Sequence, residues 1–383
     1  MIQLDEKLAV FVKFRGRRIF AEMGRLFYTV LETFSTAGYR IQLFDNLPRE
    51  ELGKYGPLAL ALPGLELTSS VPDDTSGMIY LYDERDRDAG RRMWRKEVQI
   101  RDDVFSPYWL SDPVFLPYPV HPVHSGTDLP ERLRRYRQSE RRMRIFFSGD
   151  VEGYVRNRIR YPAEKMPRLA VISTIRERFG EWLCVVNDET ELSAALEADR
   201  CQDRFVLAEP GRFRIETAKW LPTLATADFF LCPPGYVMPM CHNAVEAMAV
   251  GTIPIISYPE WFRPALAHGK NCLVFGDPED LIRQLHAALY MDSRKLTEMR
   301  HNTIEYYERH LTAKSFVRCL EGNNQRRVAV LMITDANTAS NASRLNANSV
   351  LVRDESSMEH RALGKLIRLL RAAKRSDPQI DTV

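Results

Sequence analysis

The 383-residue sequence lacks the patterns of several common enzyme classes. It has no Gly-x-Gly-x-x-Gly loop and no lysine-bearing phosphate loop, which counts against dinucleotide redox enzymes and ATPases. Its six cysteines form no Cys-x-x-Cys pair, and the cysteines and histidines do not have the spacing of a zinc site. We therefore expect reduced thiols in a cytoplasmic protein rather than a disulfide framework.

Long apolar runs and an excess of one charge are also missing. No stretch approaches about 18 apolar residues, and no charged-then-apolar leader precedes the first strand-like segment. Charged residues make up 27% of the chain, but the net charge is only +3. Because so small a net charge produces no strong positive electrostatic field to attract nucleic acid, we predict a protein without a nucleic-acid partner.

Strand-like and helix-like segments alternate along the chain instead. Residues 8–14 are apolar and β-branched, residues 19–37 have apolar positions at helical spacing up to Gly38, and another strand-like run follows. This βαβ opening predicts a parallel sheet. The runs "LALALPG" and "GMIYLY" are further strand candidates.

The length and the change of texture along the chain predict two domains and an extension. Residues 91–127 are rich in proline and aromatic residues, and a second βα series begins near residue 145. We predict an N-terminal Rossmann-like domain over 1–130, a second one over 131–325, and an extension over 326–383. The extension combines a polar linker with an amphipathic basic helix.

Two basic segments leave alternatives open. Residues 131–144 contain seven arginines, and the extension helix at 358–375 has a basic outer face. Residues 131–144 could be a solvated helix face, or could attract anionic lipid head groups or an acidic glycan. The extension helix could pack its apolar stripe on the protein, or its basic face could contact an anionic membrane surface.

The most specific motif occupies residues 229–257. An apolar strand leads into Pro233-Pro234-Gly235, and a helix begins between residues 240 and 243. The first N–H groups of such a helix favour an anion such as a diphosphate. Gly235 allows close backbone approach, and the prolines stiffen the turn.

Two polar residues of this helix face the predicted anion site. Glu246 lies one turn inside, where it could reach a sugar or ribose hydroxyl, or could be a solvated helix residue. His242, at the helix start, could donate to a phosphate or pack, and we favour donor binding.

The stretch "FFLCPPGYVMPMCHNAVEAMAVGTIPII" resembles the donor-binding segment of exostosin-like glycosyltransferases. "FFSGDVEGYVRNRIR" at 146–160 resembles the same family's Phe-x-Gly segment followed by Gly-x-x-Arg-x-x-x-Arg. The resemblance implies an α/β fold of the GT-B type, in which two Rossmann-like β/α/β domains face a cleft. The first domain would bind the acceptor and the second a UDP- or GDP-sugar donor.

The resemblance also implies site residues and direct sugar transfer without an essential metal or other cofactor. By position, Arg156 and Arg160 would contact the phosphates, and Glu246 would hold the ribose. The predicted donor-binding residues are Gly149, Gly153, Arg156, Arg160, Pro234, Gly235, His242, Asn243 and Glu246.

The sequence departs from some relatives of this architecture. Retaining families place two glutamates eight positions apart, but Met238 stands eight before Glu246, which argues against their mechanism. The acidic pair at 86–88, which could suggest a metal site, is interpreted as charged surface. For the base that deprotonates the acceptor, the candidates are Asp45 and His124, with His121 beside the latter.

These features predict a hexosyltransferase that acts on a carbohydrate or glycolipid acceptor in surface polysaccharide or lipopolysaccharide synthesis. Two alternatives stay open: a nucleotide-sugar epimerase or phosphorylase on the same architecture, and a non-catalytic subunit that binds a nucleotide sugar or a glycan. The expected location is the cytoplasm, including the inner face of the membrane.

Overall fold

The structure, a computed structural model, describes residues 8–108, 113–151, 165–346 and 348–351. The described residues form two parallel β-sheets with apolar cores on both faces. The strands are β1 (Ala9–Lys13), β2 (Arg40–Phe44), β3 (Leu65–Thr68), β4 (Ile79–Tyr82), β5 (Lys96–Arg101), β6 (Val114–Phe115), β7 (Met143–Phe147), β8 (Leu183–Val186), β9 (Phe205–Ala208), β10 (Ala227–Cys232), β11 (Ile253–Ile256), β12 (Leu273–Val274) and β13 (Arg327–Leu331).

Helices connect these strands. They are α1 (Arg25–Thr36), α2 (Gly56–Leu60), α3 (Leu129–Tyr136), α4 (Arg168–Arg178), α5 (Glu189–Glu197), α6 (Thr217–Leu224), α7 (His242–Ala249), α8 (Pro278–Leu289), α9 (Ser293–His310), α10 (Ala313–Gly322) and α11 (Asp335–Asn341). The amphipathic helix predicted at 358–375 lies outside the described residues.

The first sheet has the strand order β3-β2-β1-β4-β5-β13-β6, and every pair is parallel. Without β13 this is the Rossmann order. The sequence assigns β13 to the extension, but in the structure it enters this sheet, where Val330 lies between Ile100 and Val114. Phe316 and Leu320 of α10 join the same core. The chain therefore returns to the first domain after building the second.

The second sheet has the order β12-β11-β10-β7-β9-β8, again with every pair parallel. Its central strand β10 is buried along its whole length, as expected for a strand with helices on both faces. The predicted fold class, two Rossmann-like α/β domains, is confirmed by these two sheets.

Some local predictions were wrong. Residues 58–64, a predicted strand, lie partly in α2, which begins beside Pro57. Proline is favourable in the first helical turn, and leucine and alanine favour helix, so the segment forms a short helix instead of a strand. The neighbouring strand β3 has no strong sequence pattern. The segment 91–127 shows little periodicity in the sequence, but it contains β5 and β6 in the structure.

The arginines of residues 131–144 have internal partners that their sequence did not indicate. Arg137, Arg141 and Arg142 each donate to a backbone carbonyl at the C-terminal end of α7 or α5, at 2.8–3.0 Å. A cation at a helix C-terminus meets the negative end of the dipole. At least these three arginines therefore hold the second domain together at the amino edge of its sheet.

Candidate functional site

The candidate site lies where the carboxyl ends of the two sheets meet the interdomain connection. In the second sheet, the chain leaves the neighbouring strands β7 and β10 in opposite directions, which makes a topological switch point. Ligands of open α/β sheets bind at such a point. The loops after these two strands carry the predicted donor-binding residues.

The helices around this point lack side-chain caps. No described side chain caps the N-terminus of α4, α6 or α7, which follow the three central strands β7, β9 and β10. In contrast, Asp188 caps α5 and Asp277 caps α8, which follow the two outermost strands. Uncapped N-termini leave N–H groups for an anion, so the arrangement concentrates anion-binding capacity at the centre of the sheet.

The turn before α7 requires glycine. A Cβ atom on Gly235 would lie 2.3 Å from the carbonyl oxygen of Met238, which is backbone and cannot swing away. Pro234 is buried beside it, and Asn243 is partly exposed in the first turn of α7. At Gly149, after β7, a Cβ atom would lie 3.5 Å from the Phe147 ring, which is ordinary contact. The close backbone contact at position 235 thus requires glycine, whereas position 149 has room for a Cβ atom.

His242 begins α7 and bonds to the first domain and the connection. Its Nδ1 lies 2.8 Å from the carbonyl oxygen of Pro119, and its Nε2 lies next to the Arg25 guanidinium. Since a carbonyl only accepts and a guanidinium only donates, Nδ1 carries the proton. Burial, then the charge of Arg25, lowers the pKa of His242 to about 3, so the ring is neutral.

Two further histidines lie beside His242. The ring centroids of His121 and His242 are 5.2 Å apart, and those of His121 and His124 are 6.5 Å apart. Nε2 of His121 is 3.2 Å from the Tyr55 hydroxyl, while its Nδ1 accepts from the N–H of Val123. Burial lowers the pKa of His124 to about 4. The fold thus brings together three histidine rings that are neutral at neutral pH. The sequence alone shows their positions in the chain but not their proximity.

Glu246 is buried in α7, with 2% of its surface exposed. One carboxylate oxygen accepts from the backbone N–H of His121 at 2.9 Å and the other from the indole of Trp220 at 2.6 Å. Burial raises its pKa. Glu246 is therefore no solvated helix residue: it ties α7 to the interdomain connection, and its predicted ribose contact stays a prediction.

Three cations surround this cluster, and sequence reasoning missed all of them. Burial first, then the charges of Arg25, Lys54 and Arg214, lowers the pKa of His121. Arg25 begins α1, Lys54 precedes α2, and Arg214 lies between β9 and α6. Arg214 is exposed and has no ion-pair partner among the described residues. These cations come from three separate segments of the chain, so no local pattern could have joined them.

The remaining predicted residues are placed differently. Asp45 follows β2, where its carboxylate accepts from Arg49 at 2.6 Å, and it shares no hydrogen bond with the histidines within the described part of the chain. Gly153, Arg156 and Arg160 lie outside the described residues.

In the acidic pair at 86–88, Asp86 makes contacts that stabilise its own loop. Asp86 accepts from two backbone N–H groups, those of residues 88 and 89, at 3.0 Å, and it pairs with Lys13 at 3.1 Å. The described residues contain no cluster of three or more side chains suited to a metal ion. Nor does any helix within the described ranges have the length and apolarity to cross a membrane.

A small cavity opens between the domains next to His242. Its lining includes Arg25, Tyr118, Met332 and Ile333. The last two residues directly follow β13, so the returning chain forms part of the cleft.

Comparison with known proteins gives no family for the chain. It matches no protein-family model and no curated protein. The exostosin-like resemblance of its two motifs therefore stays a prediction.

Several solved structures align with most of this chain at low identity. HepE from Anabaena in complex with UDP is 10% identical, with 82% of this chain and 98% of that chain covered and a TM-score of 0.42. A glycosyltransferase from Rickettsia africae is 8% identical, with 82% and 97% covered and a TM-score of 0.42. An α-glucosyltransferase with UDP and a 13-mer DNA is 14% identical, with 83% and 99% covered and a TM-score of 0.41. With TM-scores below 0.5, none of these similarities carries an argument about this chain.

Proposed function

We propose that the chain is a hexosyltransferase that moves a sugar from a UDP- or GDP-sugar to a carbohydrate or glycolipid acceptor in surface polysaccharide or lipopolysaccharide synthesis. One observation carries the proposal: the N-terminus of α7 has no side-chain cap, and the charges of Arg25, Lys54 and Arg214 act on His121, whose ring lies 5.2 Å from that of His242 at the start of this helix. The leaving nucleoside diphosphate gains negative charge as the sugar departs. A helix N-terminus and guanidinium groups stabilise that charge.

The proposed donor position follows from this convergence. The diphosphate lies against the turn at Gly235 and the start of α7, and Arg156 and Arg160, predicted from the resemblance, complete the contacts. The acceptor enters from the first domain. We propose metal-independent transfer in which these protein cations, rather than a metal ion, stabilise the charge of the leaving diphosphate. A ribose contact by Glu246 requires that a sugar hydroxyl replace one of its present donors, Trp220 or His121.

Thermal unfolding with a panel of nucleotides and nucleotide sugars, with and without EDTA, tests donor binding. A ligand that binds only the folded protein raises the melting temperature. We expect one nucleoside diphosphate and its sugar derivatives to stabilise the protein, and EDTA to leave the shift unchanged. No shift from any member of the panel would contradict the proposal.

Product analysis then separates the activities. Donor hydrolysis that a glycan acceptor accelerates supports transfer. Isomerisation of the nucleotide sugar without acceptor would indicate an epimerase, and sugar release on free phosphate a phosphorylase. Tight donor binding without any turnover would indicate a non-catalytic subunit.

A further inference from the structure

Asp335 begins α11, two residues after Ile333. Met332 and Ile333 line the interdomain cavity, and Thr334 separates them from Asp335. The backbone N–H of Asp335 donates to Glu22 Oε1 at 3.1 Å. The returning chain thus places a carboxylate beside the cleft, on the side of the first domain.

Two of the three histidines, His242 and His121, have their ring nitrogens engaged, and burial lowers the pKa of the third, His124, to about 4, which makes it a weak base. His242 donates to Pro119 and accepts from Arg25. His121 accepts from the N–H of Val123 at one nitrogen, and its other nitrogen lies 3.2 Å from the Tyr55 hydroxyl. A base needs a free lone pair within reach of the acceptor hydroxyl, so these rings are poorly suited to that role.

The other carboxylates of the region are engaged as well. Both oxygens of Glu246 accept hydrogen bonds from protein groups. Glu22 accepts from Arg25 at one oxygen and from Asp335 at the other. Asp45 is paired with Arg49.

The carboxylate of Asp335 differs from these. Among the described residues, no group donates a hydrogen bond to it. Its charge acts on Arg25 and Tyr118, which both line the cavity. Unlike Glu22, Asp45 and Glu246, Asp335 has a carboxylate that accepts no hydrogen bond from the described residues, so both of its oxygens can accept from a substrate.

The backbone that supports Asp335 is strained. Glu22 and Met23 have φ values of 58° and 59°, and Gly24 follows with 80°. Left-handed conformation is costly for residues other than glycine, and such strain concentrates at functional sites. This turn directs Glu22 toward the N–H of Asp335.

The surroundings suit a base. Burial raises the pKa of Asp335, the charge of Glu22 raises it further, and Arg25 opposes them. A carboxylate with a raised pKa holds a proton more readily, which brings it closer to the pH at which a base works best.

We propose that Asp335 is the catalytic base that accepts the proton of the acceptor hydroxyl, and this rests on the proposed function. As the acceptor oxygen forms its bond to the anomeric carbon, its proton passes to the Asp335 carboxylate. The bond from that carbon to the phosphate oxygen breaks, and its electron pair leaves with the nucleoside diphosphate. Water later takes the proton from Asp335.

The test compares wild type with Asp335→Asn in the hydrolysis of UDP-glucose and GDP-mannose, with water as the acceptor. We expect kcat to fall at least about 100-fold, in the range of general-base catalysis, while the KM for the donor and the thermal shift by UDP or GDP stay unchanged. Asp203→Asn, the same chemical change at an exposed position before β9, should keep full activity.

The pH profile excludes a purely structural effect. In wild type, kcat should decline on the acid side as Asp335 takes up a proton, with Glu22, Arg25 and Tyr118 as the charged and titratable groups that face it. Asp335→Asn should lack this acid limb, and Asp335→Glu should keep part of the activity with the limb shifted.

The outcomes are distinguishable. Turnover by wild type that survives in Asp335→Asn would overturn this inference alone. Equal loss of the UDP or GDP thermal shift and of turnover in Asp335→Asn would also overturn it, because the residue would then be structural. If wild type turns over neither donor, the proposed function fails and the inference with it.

Discussion

The two sheets have the same Rossmann-type switch point, but the groups that bond to the backbone N–H donors there differ. In the first sheet the point lies between β1 and β4, where the N–H groups of Arg15 and Gly16 donate to the carboxylate of Asp83 at 2.9 and 2.8 Å. In the second sheet the point lies between β7 and β10, and no described side chain caps the helices that follow. The first sheet satisfies its own anion site, whereas the second leaves it available, so one fold supports two different roles.

The largest expected effect concerns the neutral histidine at the second site. The pKa of His242 is about 3 in the folded chain and 6.5 in the reference state, so below pH 6.5 the unfolded chain binds the proton and the folded chain does not. Stability should therefore fall as the pH decreases, by about 3 kcal/mol between pH 6.5 and pH 4 from this group.

Urea unfolding of wild type and His242→Gln at pH 7 and pH 4 measures this effect. Glutamine offers a donor for Pro119 and an acceptor for Arg25 but does not titrate, so the variant should lose less stability on acidification. Equal losses in the two proteins would contradict the assignment of a neutral His242.

Paired glycine variants compare the two turns directly. Gly235→Ala meets the backbone oxygen of Met238 at 2.3 Å, whereas Gly16→Ala meets a side-chain oxygen of Asp83 at 2.9 Å, which can move. We expect Gly235→Ala to destabilise the fold by about 2 kcal/mol and to remove the nucleotide thermal shift, with Gly16→Ala below about 1 kcal/mol. A normal nucleotide shift in Gly235→Ala would place the donor elsewhere.

The Asp83→Asn variant tests the switch point of the first sheet, where Asp83 accepts from two backbone N–H groups. One amide oxygen cannot replace two carboxylate oxygens that accept from Arg15 and Gly16, so the free energy of unfolding should fall by about 1–2 kcal/mol. The nucleotide thermal shift should persist. Its selective loss would mean that the first sheet, not the second, holds the donor.

The smallest effect is expected for Arg214→Ala. Removal of one exposed cation from the cleft should weaken nucleoside diphosphate binding about tenfold, or about 1.4 kcal/mol, measured by calorimetry. The loss should shrink at high salt because exposed charges are screened. Arg212→Ala, in the same loop, serves as the control and should change the affinity less than about twofold.

Local sequence patterns predicted much of the second site. The apolar strand β10, the rigid turn at Gly235 and the helix α7 are contiguous, and Gly251 ends that helix with φ of 78° as expected. Strand burial, helix spacing and terminating glycine are properties of neighbouring residues, so one sequence suffices to predict them.

Long-range placement escaped prediction. Nothing near residue 330 indicates that β13 pairs with both β5 and β6, since a parallel strand can come from anywhere in the chain. The approach of His121 to His242, and of Glu246 to Trp220, also depends on packing between distant segments. Asp335 carries no local signal of its own and becomes notable only beside Glu22 and Arg25.

The amino-acid sequence was sufficient for the α/β class, the two-domain organisation and the rigid corner at Gly235 and α7, because periodicity and turn chemistry act over a few residues. Packing across the whole molecule was needed to close the first switch point with Asp83, to gather three histidines in one cleft, and to bring Asp335 there on the returning chain. Such contacts are selected by the burial and hydrogen-bond satisfaction of the complete fold, which no local pattern records.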